Sequence, residues 1–157
     1  MIIEEATSGQ IDISTCLEIL KDNLQEMYEQ TIGWDTEFKR TELSQPQMHY
    51  YIVKDNTNRI CAFCSYTEEY GTEVEDAWIV YCYELQVRKD AQGKGLGGML
   101  MEKLEARART LQAKKVMLTC FCMNKIALNF YTHRDYKTDE TSPEGNVPYR
   151  ILSLKIK

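Results

Sequence analysis

A glycine-rich turn near the middle of the chain has the composition of an anion-binding site. Residues 92–98 read Gln-Gly-Lys-Gly-Leu-Gly-Gly, between a strand-like run that ends near Arg88 and a segment with helical periodicity. Glycines let backbone N–H groups approach a ligand closely, and a helix N-terminus offers free donors at the positive end of its dipole. We therefore predict that this turn holds a phosphate or pyrophosphate group.

Two common phosphate-binding motifs do not account for the turn. It lacks the G-x-x-x-x-G-K-[ST] pattern of a P-loop. Gly93, Gly95 and Gly98 fit the G-x-G-x-x-G spacing, but no Asp or Glu stands between Glu105 and Asp135, where a dinucleotide site needs an acid for the ribose. The runs before the turn also predict an antiparallel meander rather than a βαβ unit. The turn is therefore assigned to neither class.

Acidic residues are concentrated just before this turn. The chain has a net charge of −5 and no Lys or Arg between Arg59 and Arg88. The acids in that stretch are Glu68, Glu69, Glu73, Glu75, Asp76 and Glu84. A field of this sign repels nucleic acid and attracts cations or basic peptides. A solvated hairpin loop explains residues 73–76 equally well, whereas Glu84 lies inside an apolar run.

The bulk properties predict one domain, residues 1–157, that is intracellular and reaches no membrane. A chain of 157 residues is long enough to form a hydrophobic core without disulfides or a structural metal. Its 43% hydrophobic and 27% charged residues are ordinary for a globular domain. No apolar stretch approaches a membrane span, and the first residues lack the basic start of a signal peptide. The six cysteines lie mostly in apolar runs, as reduced core thiols do. Cys61 and Cys64 are spaced like half a zinc site, but a strand would turn them to opposite faces, so we predict no metal.

Hydrophobic periodicity and turn residues predict an alternating set of helices and strands. Helices are predicted at residues 12–28, 35–43, 96–111 and 125–133. Strands are predicted at residues 1–5, 49–54, 60–70, 77–88, 115–121, 135–139 and 150–156. Gly33 is expected to end the first helix. The antiparallel start and the β-α-β middle imply a mixed α/β sheet.

Two motifs in this element order resemble those of the GNAT acetyltransferases. The turn matches Q/R-x-x-G-x-G/A from Gln92 to Gly97, and residues 124–131 match a second family pattern, N-x-x-A-x-x-F-Y. The resemblance implies the GNAT fold, a mixed and mostly antiparallel sheet of about seven strands flanked by about four helices. It also implies acetyl-CoA as the cofactor, without a metal.

The same resemblance implies where the cofactor would be held. Leu85, Gln86 and Val87 would contact the pantetheine arm, the first and last through backbone groups. The pyrophosphate would be held by Gln92, Gly93, Lys94, Gly95, Leu96, Gly97 and Gly98. Asn124 and Thr141 would add further contacts to the cofactor. Asn124 is equally suited to cap the helix that follows it.

Acetyl transfer needs a neutral amine to attack the thioester and a proton for the leaving thiolate. A thiol with a pKa of about 8.5 leaves readily, so the phenol of Tyr131 suffices as the acid, although Tyr131 would equally fit a core position. Glu84 is the only carboxylate in the apolar run at residues 79–85, beside the expected thioester. Burial would raise its pKa toward that of a general base. The alternative for Glu84 is an ion pair with a buried basic residue.

The amine is better matched by a protein N-terminus than by lysine. An α-amine has a pKa of about 7.7–8.0 and a lysine one of about 10.4. At cellular pH roughly a fifth of α-amines are neutral, against about one lysine in a thousand. A single carboxylate therefore suits the α-amine, and the acidic stretch around Glu68 and Glu69 would favour a peptide with basic residues behind it.

Several segments are similar to the NatD-type N-terminal acetyltransferases, which modify core-histone tails that begin Ser-Gly-Arg-Gly, histone H4 among them. These segments are residues 23–30, 81–84, 114–119 and 142–143. The likeness implies Glu84 as the base and Glu69 as an acid that reads the amine or the substrate arginine. It implies a peptide pocket walled by Tyr28, Tyr81, Tyr83, Thr119 and Tyr149. It also implies a monomer in the cytoplasm and nucleus.

The chain departs from the NatD pattern in two places, and alternatives stay open. Residues 31–34 hold one tryptophan where the family turn is longer, and the loop between Glu69 and Tyr81 differs in length. A GNAT enzyme for other N-termini or for lysine side chains is one alternative. A catalytically silent acetyl-CoA-binding module is the other.

Overall fold

The elements of the fold begin and end close to the sequence predictions. A computed structural model describes residues 2–71 and 76–157. Within them, the strands are β1 Ile3–Thr7, β2 His49–Lys54, β3 Ile60–Tyr70, β4 Trp78–Val87, β5 Lys115–Phe121, β6 Lys137–Thr138 and β7 Tyr149–Lys155. The α-helices there are α1 Ile13–Glu29, α2 Thr36–Leu43, α3 Leu96–Leu111 and α4 Lys125–His133. None of those helices is both long and apolar enough to cross a lipid bilayer.

Of the four α-helices in residues 2–71 and 76–157, three begin at side-chain caps and one does not. The side chains of Asp12, Asp35 and Asn124 accept hydrogen bonds from backbone N–H groups in the first turns of α1, α2 and α4. Helix α3 follows Gly95 at φ +81°, and among the described residues no side chain caps it. Its first N–H groups therefore remain available to a ligand.

The end of α1 differs slightly from the prediction. The helix stops at Glu29, four residues before Gly33, with Gln30 as its C-cap. Gly33 still closes the turn, because its N–H donates to the Tyr28 carbonyl at 2.7 Å and its φ is +92°. A left-handed glycine of this kind is a common way to finish a helix.

The sheet is mixed and mostly antiparallel, as predicted. The strand order is β1-β2-β3-β4-β5-β7-β6. Strands β1 to β4 form the antiparallel meander, β5 joins β4 in parallel, and β7 pairs antiparallel with both β5 and β6. Helix α3 makes the connection from β4 to β5, which is the crossover that a parallel pair requires.

Each face of the sheet buries its own hydrophobic layer. On one face α3 packs through Leu100, Met101, Leu104 and Ala108 against Val80, Cys82, Val116 and Leu118. On the other face α1 and α2 pack through Cys16, Leu17, Leu20 and Leu43 against Tyr50, Ile52 and Phe63. Burial of each large side chain contributes about 1.5–3 kcal/mol, so both layers hold the sheet from which the site is built.

A bulge in β3 corrects an expectation about the cysteines. The register of β2 and β3 shifts between Val53 and Lys54, which leaves Cys61 as an extra residue. A bulge of this kind interrupts the alternation of side chains between the two faces. Cys61 and Cys64 are therefore buried in the same core cluster under α3, and the prediction that they face opposite ways is wrong.

A buried ion pair joins β5 to the segment after β6. Lys115 Nζ lies 2.8 Å from Asp139 Oδ1, and the two side chains are 12% and 3% exposed. Burial alone would raise the pKa of Asp139, but hydrogen bonds from Lys115, Ser153 and Thr141 outweigh it, and this pKa lies below its ordinary value. The ionised pair therefore stabilises the folded state at neutral pH.

Asp139→Asn is expected to lower the free energy of unfolding at neutral pH by about 2 kcal/mol, because the buried Lys115 ammonium loses its carboxylate. Because the folded pKa is depressed, this stabilisation is complete above the unfolded pKa of about 3.9 and is lost as pH falls through the folded value. Urea unfolding should show the difference from wild type shrinking below about pH 4. The exposed Asp22→Asn in α1 is the control, and a pH-independent difference would contradict the ion-pair account.

Candidate active site

The site forms where β4 and β5 part. Their parallel pairing runs from Ile79 and Lys115 to Cys82 and Leu118, and among the described residues it ends there. Two cavities open beyond that point. The glycine cleft, lined by the turn at residues 92–98, has a volume of about 530 Å³. The tyrosine cavity, lined by Tyr28, Tyr81, Tyr83 and Tyr149, has a volume of about 490 Å³.

The two cavities meet along a common wall. The residues that line both are Leu24, Leu85, Gln86, Asn124, Ala127 and Tyr131. They come from α1, β4, the start of α4 and its last turn. A molecule held in the glycine cleft can therefore present one end to the tyrosine cavity.

The glycine cleft has the geometry of an anion site. Gly93 and Gly95 have φ values of +79° and +81°, which residues other than glycine rarely adopt. A Cβ at either position would meet no other atom within 4 Å, so the space above both glycines is open. A Cβ at Gly97 would come 3.6 Å from Phe130 and 4.0 Å from Leu85, whose side chains line the cleft. The uncapped start of α3 faces this space, which fits a pyrophosphate.

The structure gathers most of the predicted cofactor residues around this cleft. Its lining includes Leu85, Gln86, Val87, Gln92, Gly93, Gly95, Leu96, Gly97, Gly98 and Asn124. Lys94 is exposed and, within the described residues, does not line it. Lys89, which the sequence reasoning missed, does line it and adds a cation near the glycine turn. The glycine motif begins at Gln92, three residues after Lys89, and therefore gives no signal for that position.

Two of the predicted cofactor residues already have partners within the protein. The carbonyl of Val87 already accepts side-chain amides from Asn23 at 3.0 Å and Gln92 at 2.9 Å, so this group is not free for a pantetheine arm. The hydroxyl of Thr141 donates to Asp139 at 2.6 Å on the β6 side of β7. Thr141 is not among the described residues that line either cavity, and its contact with the cofactor stays a prediction.

A bulge in β4 places Glu84 beside the tyrosines. Ser65 pairs with Glu84 but Tyr66 pairs with Cys82, so Tyr83 is the extra residue. Strict alternation would turn Tyr83 and Glu84 to opposite faces, whereas both line the tyrosine cavity. The bulge therefore brings a carboxylate and two phenols of one short segment to the same space.

Glu84 is buried and held by two donors. Its side chain is 5% exposed, with Lys39 Nζ at 3.2 Å from Oε2 and Gln86 Nε2 at 2.9 Å from Oε1. Burial raises the pKa of Glu84, and the Lys39 ammonium and the Gln86 amide offset part of that rise. The ion pair left open as an alternative for Glu84 is present. It does not remove Glu84 from the cavity, whose wall it forms.

Tyr131 and Asn124 lie at the junction of the cavities. Tyr131 is 8% exposed, and burial raises its pKa well above the ordinary value for a phenol. It therefore keeps its proton at neutral pH, as a proton donor must. Asn124 caps α4 by accepting from the Ala127 N–H at 3.2 Å, so the capping interpretation is confirmed. Asn124 also lines both cavities.

The predicted peptide residues surround the tyrosine cavity. Its lining includes Tyr28, Tyr81, Tyr83, Thr119 and Tyr149. Tyr81 and Thr119 share a short hydrogen bond across the gap between β4 and β5. The rings of Trp34 and Phe121 hold Tyr28 at centroid distances of 5.3 and 4.8 Å, which the sequence did not reveal. The roles of these residues stay predictions, but all five line the same cavity.

The acidic stretch is less uniform than its sequence indicates. Arg107 binds both carboxylate oxygens of Glu68, at 2.6 and 3.0 Å, so the charge of Glu68 is compensated. The expectation that Glu68 attracts a basic peptide is corrected. Glu69 is exposed on β3 opposite Ile79; it acts on Tyr81 and Tyr83 electrostatically but is not among the described lining residues. Glu73 and Glu75 lie outside the described residues.

The chemistry available at the site is acid–base and anion binding. Across residues 2–71 and 76–157, no group of three or more His, Cys, Asp or Glu side chains could hold a metal ion. A carboxylate, a protonated phenol and an uncapped helix are the groups in place. They suit transfer of a group carried on a phosphate-containing molecule to an acceptor in the tyrosine cavity.

Solved structures of other proteins share the architecture. Arabidopsis thaliana NAA60 with a bisubstrate analogue aligns at a TM-score of 0.73 and 13% identity, over 99% of this chain and 100% of that one. The same plant protein with acetyl-CoA aligns at 0.70 and 13% identity, over 99% of each chain. Tetrahymena GCN5 aligns at 0.75 and 10% identity, over 100% of this chain and 97% of that one. At such identities these likenesses show the fold, and the expected GNAT fold is confirmed.

A sequence profile settles the family. The profile of the acetyltransferase (GNAT) family matches residues 13–136, from the start of α1 to just beyond α4. The match spans the β4 bulge, the uncapped glycine turn and the Asn124 cap, which are the features that build the two cavities. The chain therefore belongs to the GNAT acetyltransferase family.

Proposed function

We propose that this protein is an N-terminal acetyltransferase that uses acetyl-CoA. Its substrates would be core histones whose N-termini begin Ser-Gly-Arg-Gly, histone H4 among them, modified on the α-amine of the serine. The observation that carries the proposal is the position of Glu84. Its buried carboxylate lines a cavity with tyrosine walls that meets the glycine cleft at Leu85 and Tyr131.

The glycine cleft supports acetyl-CoA as the acetyl donor. The N–H groups at the start of α3 and the side chain of Lys89 would bind the pyrophosphate, and Leu85 would direct the pantetheine arm toward the wall shared with the tyrosine cavity. The bound thioester supplies the electrophilic carbonyl. NAA60, a protein with the same fold, has been solved with acetyl-CoA, which agrees with this assignment.

Glu84 and Tyr131 divide the proton transfers. Glu84 takes one proton from the substrate ammonium and later releases it to solvent, and the neutral amine attacks the thioester carbonyl. The new amide bond forms as the C–S bond breaks, and the nitrogen gives its second proton to the Tyr131 phenolate that remains once the thiolate is protonated. Tyr131, protonated and buried on the shared wall, donates to the leaving thiolate. A carboxylate already paired with Lys39 is a modest base, so it matches an α-amine with a pKa of about 8 rather than a lysine with one of about 10.4.

The charge of the cavity supports a basic N-terminal segment. Glu42 and Glu84 face Lys39 inside the tyrosine cavity, which leaves one net negative charge there. Glu69 stands outside the lining but within electrostatic reach of Tyr81 and Tyr83. The N-terminal ammonium of a substrate inside the tyrosine cavity would complement the net negative charge there, and a substrate arginine near Glu69 would complement the charge of Glu69.

Two peptides test the proposal. One begins Ser-Gly-Arg-Gly with a free amine and has no lysine; the other has a blocked N-terminus and internal lysines. We expect the first to be acetylated on its α-amine, located by mass spectrometry, and the second to react at least about 100-fold more slowly, as the fractions of neutral amine require.

A third peptide with glutamate in place of the substrate arginine should lose about tenfold in kcat/KM, or about 1.4 kcal/mol, since it replaces an attraction to Glu69 by a repulsion. Equal rates on the first two peptides would rule out the N-terminal assignment. Acetyl-CoA binding without transfer to any of the three would favour a silent binding module.

A further inference from the structure

The ammonium of Lys39 lies 3.2 Å from the Glu84 carboxylate and takes no part in the proton transfers described above. We propose that Lys39 is a positioning residue, which fixes the Glu84 carboxylate on the wall of the tyrosine cavity and balances its charge so that it can accept the substrate proton. This inference rests on the function proposed above, since it assigns Lys39 to the same reaction.

Helix α2 places Lys39 within hydrogen-bond distance of Glu84. Asp35 caps it by accepting from the Phe38 N–H at 3.0 Å, and the next residue, Lys39, contacts Tyr28 on α1 and Glu84 on β4. Lys39 is 9% exposed, which is rare for lysine. A lysine that only solubilised the surface of α2 would not be buried, so its burial requires a specific set of partners.

Lys39 is held at three points. Its Nζ lies 3.2 Å from Glu84 Oε2, 3.2 Å from Glu42 Oε1 and 4.8 Å from the centroid of the Tyr28 ring. Gln86 occupies the other carboxylate oxygen of Glu84. With one donor on each oxygen, the carboxylate has a single orientation and retains lone pairs for an incoming ammonium.

The charged and titratable groups around Glu84 make Lys39 the main group that keeps its carboxylate ionised. The titratable groups that act on it or feel its charge are Lys39 and Glu42 from α2, Tyr28 from α1, Tyr50 from β2, Cys82 from β4 and Tyr131 from α4. Among these described groups Lys39 alone is positive. Its removal would leave a fully buried carboxylate beside the negative Glu42, and such a carboxylate takes up a proton at higher pH.

The pH profile of kcat/KM separates positioning from a structural role. Activity needs ionised Glu84, so a higher pKa moves the loss of activity on acidification to higher pH. For Lys39→Met we expect the midpoint of this loss, the acid limb of the profile, to move to higher pH by about one to two units. For Lys39→Arg, which keeps the charge, the limb should return to within about half a unit of wild type. An unmoved limb in a folded Lys39→Met protein would overturn the proposal.

Glu42→Gln should shift the acid limb of the kcat/KM profile in the opposite direction to Lys39→Met. It also provides a test if Lys39→Met fails to fold. Glu42 raises the pKa of Glu84, so its neutralisation should move the limb to lower pH. A limb that moves upward or stays fixed in Glu42→Gln counts against the proposal. Glu84→Gln is run in parallel: if it keeps full activity, the assigned base is wrong, whereas an inactive Glu84→Gln with an unmoved Lys39→Met limb refutes Lys39 alone.

Discussion

Glu84→Gln is expected to lower kcat/KM for a Ser-Gly-Arg-Gly peptide by about 100- to 1,000-fold, which is within the range that a positioned general base contributes. Glutamine has nearly the same shape, but its single carbonyl oxygen can accept from either Lys39 or Gln86 and not from both, and it cannot accept the proton of the substrate ammonium. The loss should be in kcat more than in KM, because proton removal belongs to the reaction and not to peptide binding.

Acetyl-CoA binding provides the matched readout for this variant. Glu84 is not among the described residues that line the glycine cleft, so the Kd for acetyl-CoA by calorimetry should remain within about twofold of wild type. The exposed Glu102→Gln in α3 makes the same chemical change away from the site and should leave both quantities unchanged. A Glu84→Gln protein with kcat/KM within about threefold of wild type would show that another group is the base.

Much of the fold was predictable because its signals are local. The apolar stripe of α3, the caps Asp12 and Asp35 and the turn at residues 55–58 each depend on neighbours within a few residues. Every predicted element lies within two residues of its observed limits. The glycine turn belongs to the same class of signal, because positive φ and a helix start are both encoded in residues 92–98.

The charge arrangement of the site depends on contacts between distant segments and was not predictable. Lys39 belongs to a run, residues 36–42, that reads as a solvated helix, yet its partner Glu84 is 45 residues away. Arg107 neutralises Glu68 across 39 residues. The β4 bulge at Tyr83 has no sequence signal of its own, because no glycine marks it, and it reverses the face that alternation assigns to Glu84.

The glycine turn provides the second large expected effect. Gly97→Val is expected to weaken acetyl-CoA binding by about 10- to 100-fold, since overpacking of a fitted space costs about 1–3 kcal/mol. A Cβ at this position would lie 3.6 Å from Phe130 in the cleft, and the two methyl groups of valine would extend beyond it. Calorimetric titration with acetyl-CoA, which needs no peptide, measures the effect directly.

Thermal stability distinguishes a blocked cleft from a damaged fold. Gly97 is the second residue of α3 and has no positive φ, so valine is compatible with the backbone and the helix loses only the flexibility of glycine. The Tm of Gly97→Val should therefore stay near that of wild type, because the better helix propensity of valine offsets its contact with Phe130. Gly95→Ala, at φ +81°, should be destabilised by about 1–2 kcal/mol. Gly9→Val, where a Cβ would meet nothing within 4 Å, is the matched control and should bind acetyl-CoA normally. Wild-type affinity in a folded Gly97→Val protein would mean that the cofactor does not lie along this turn.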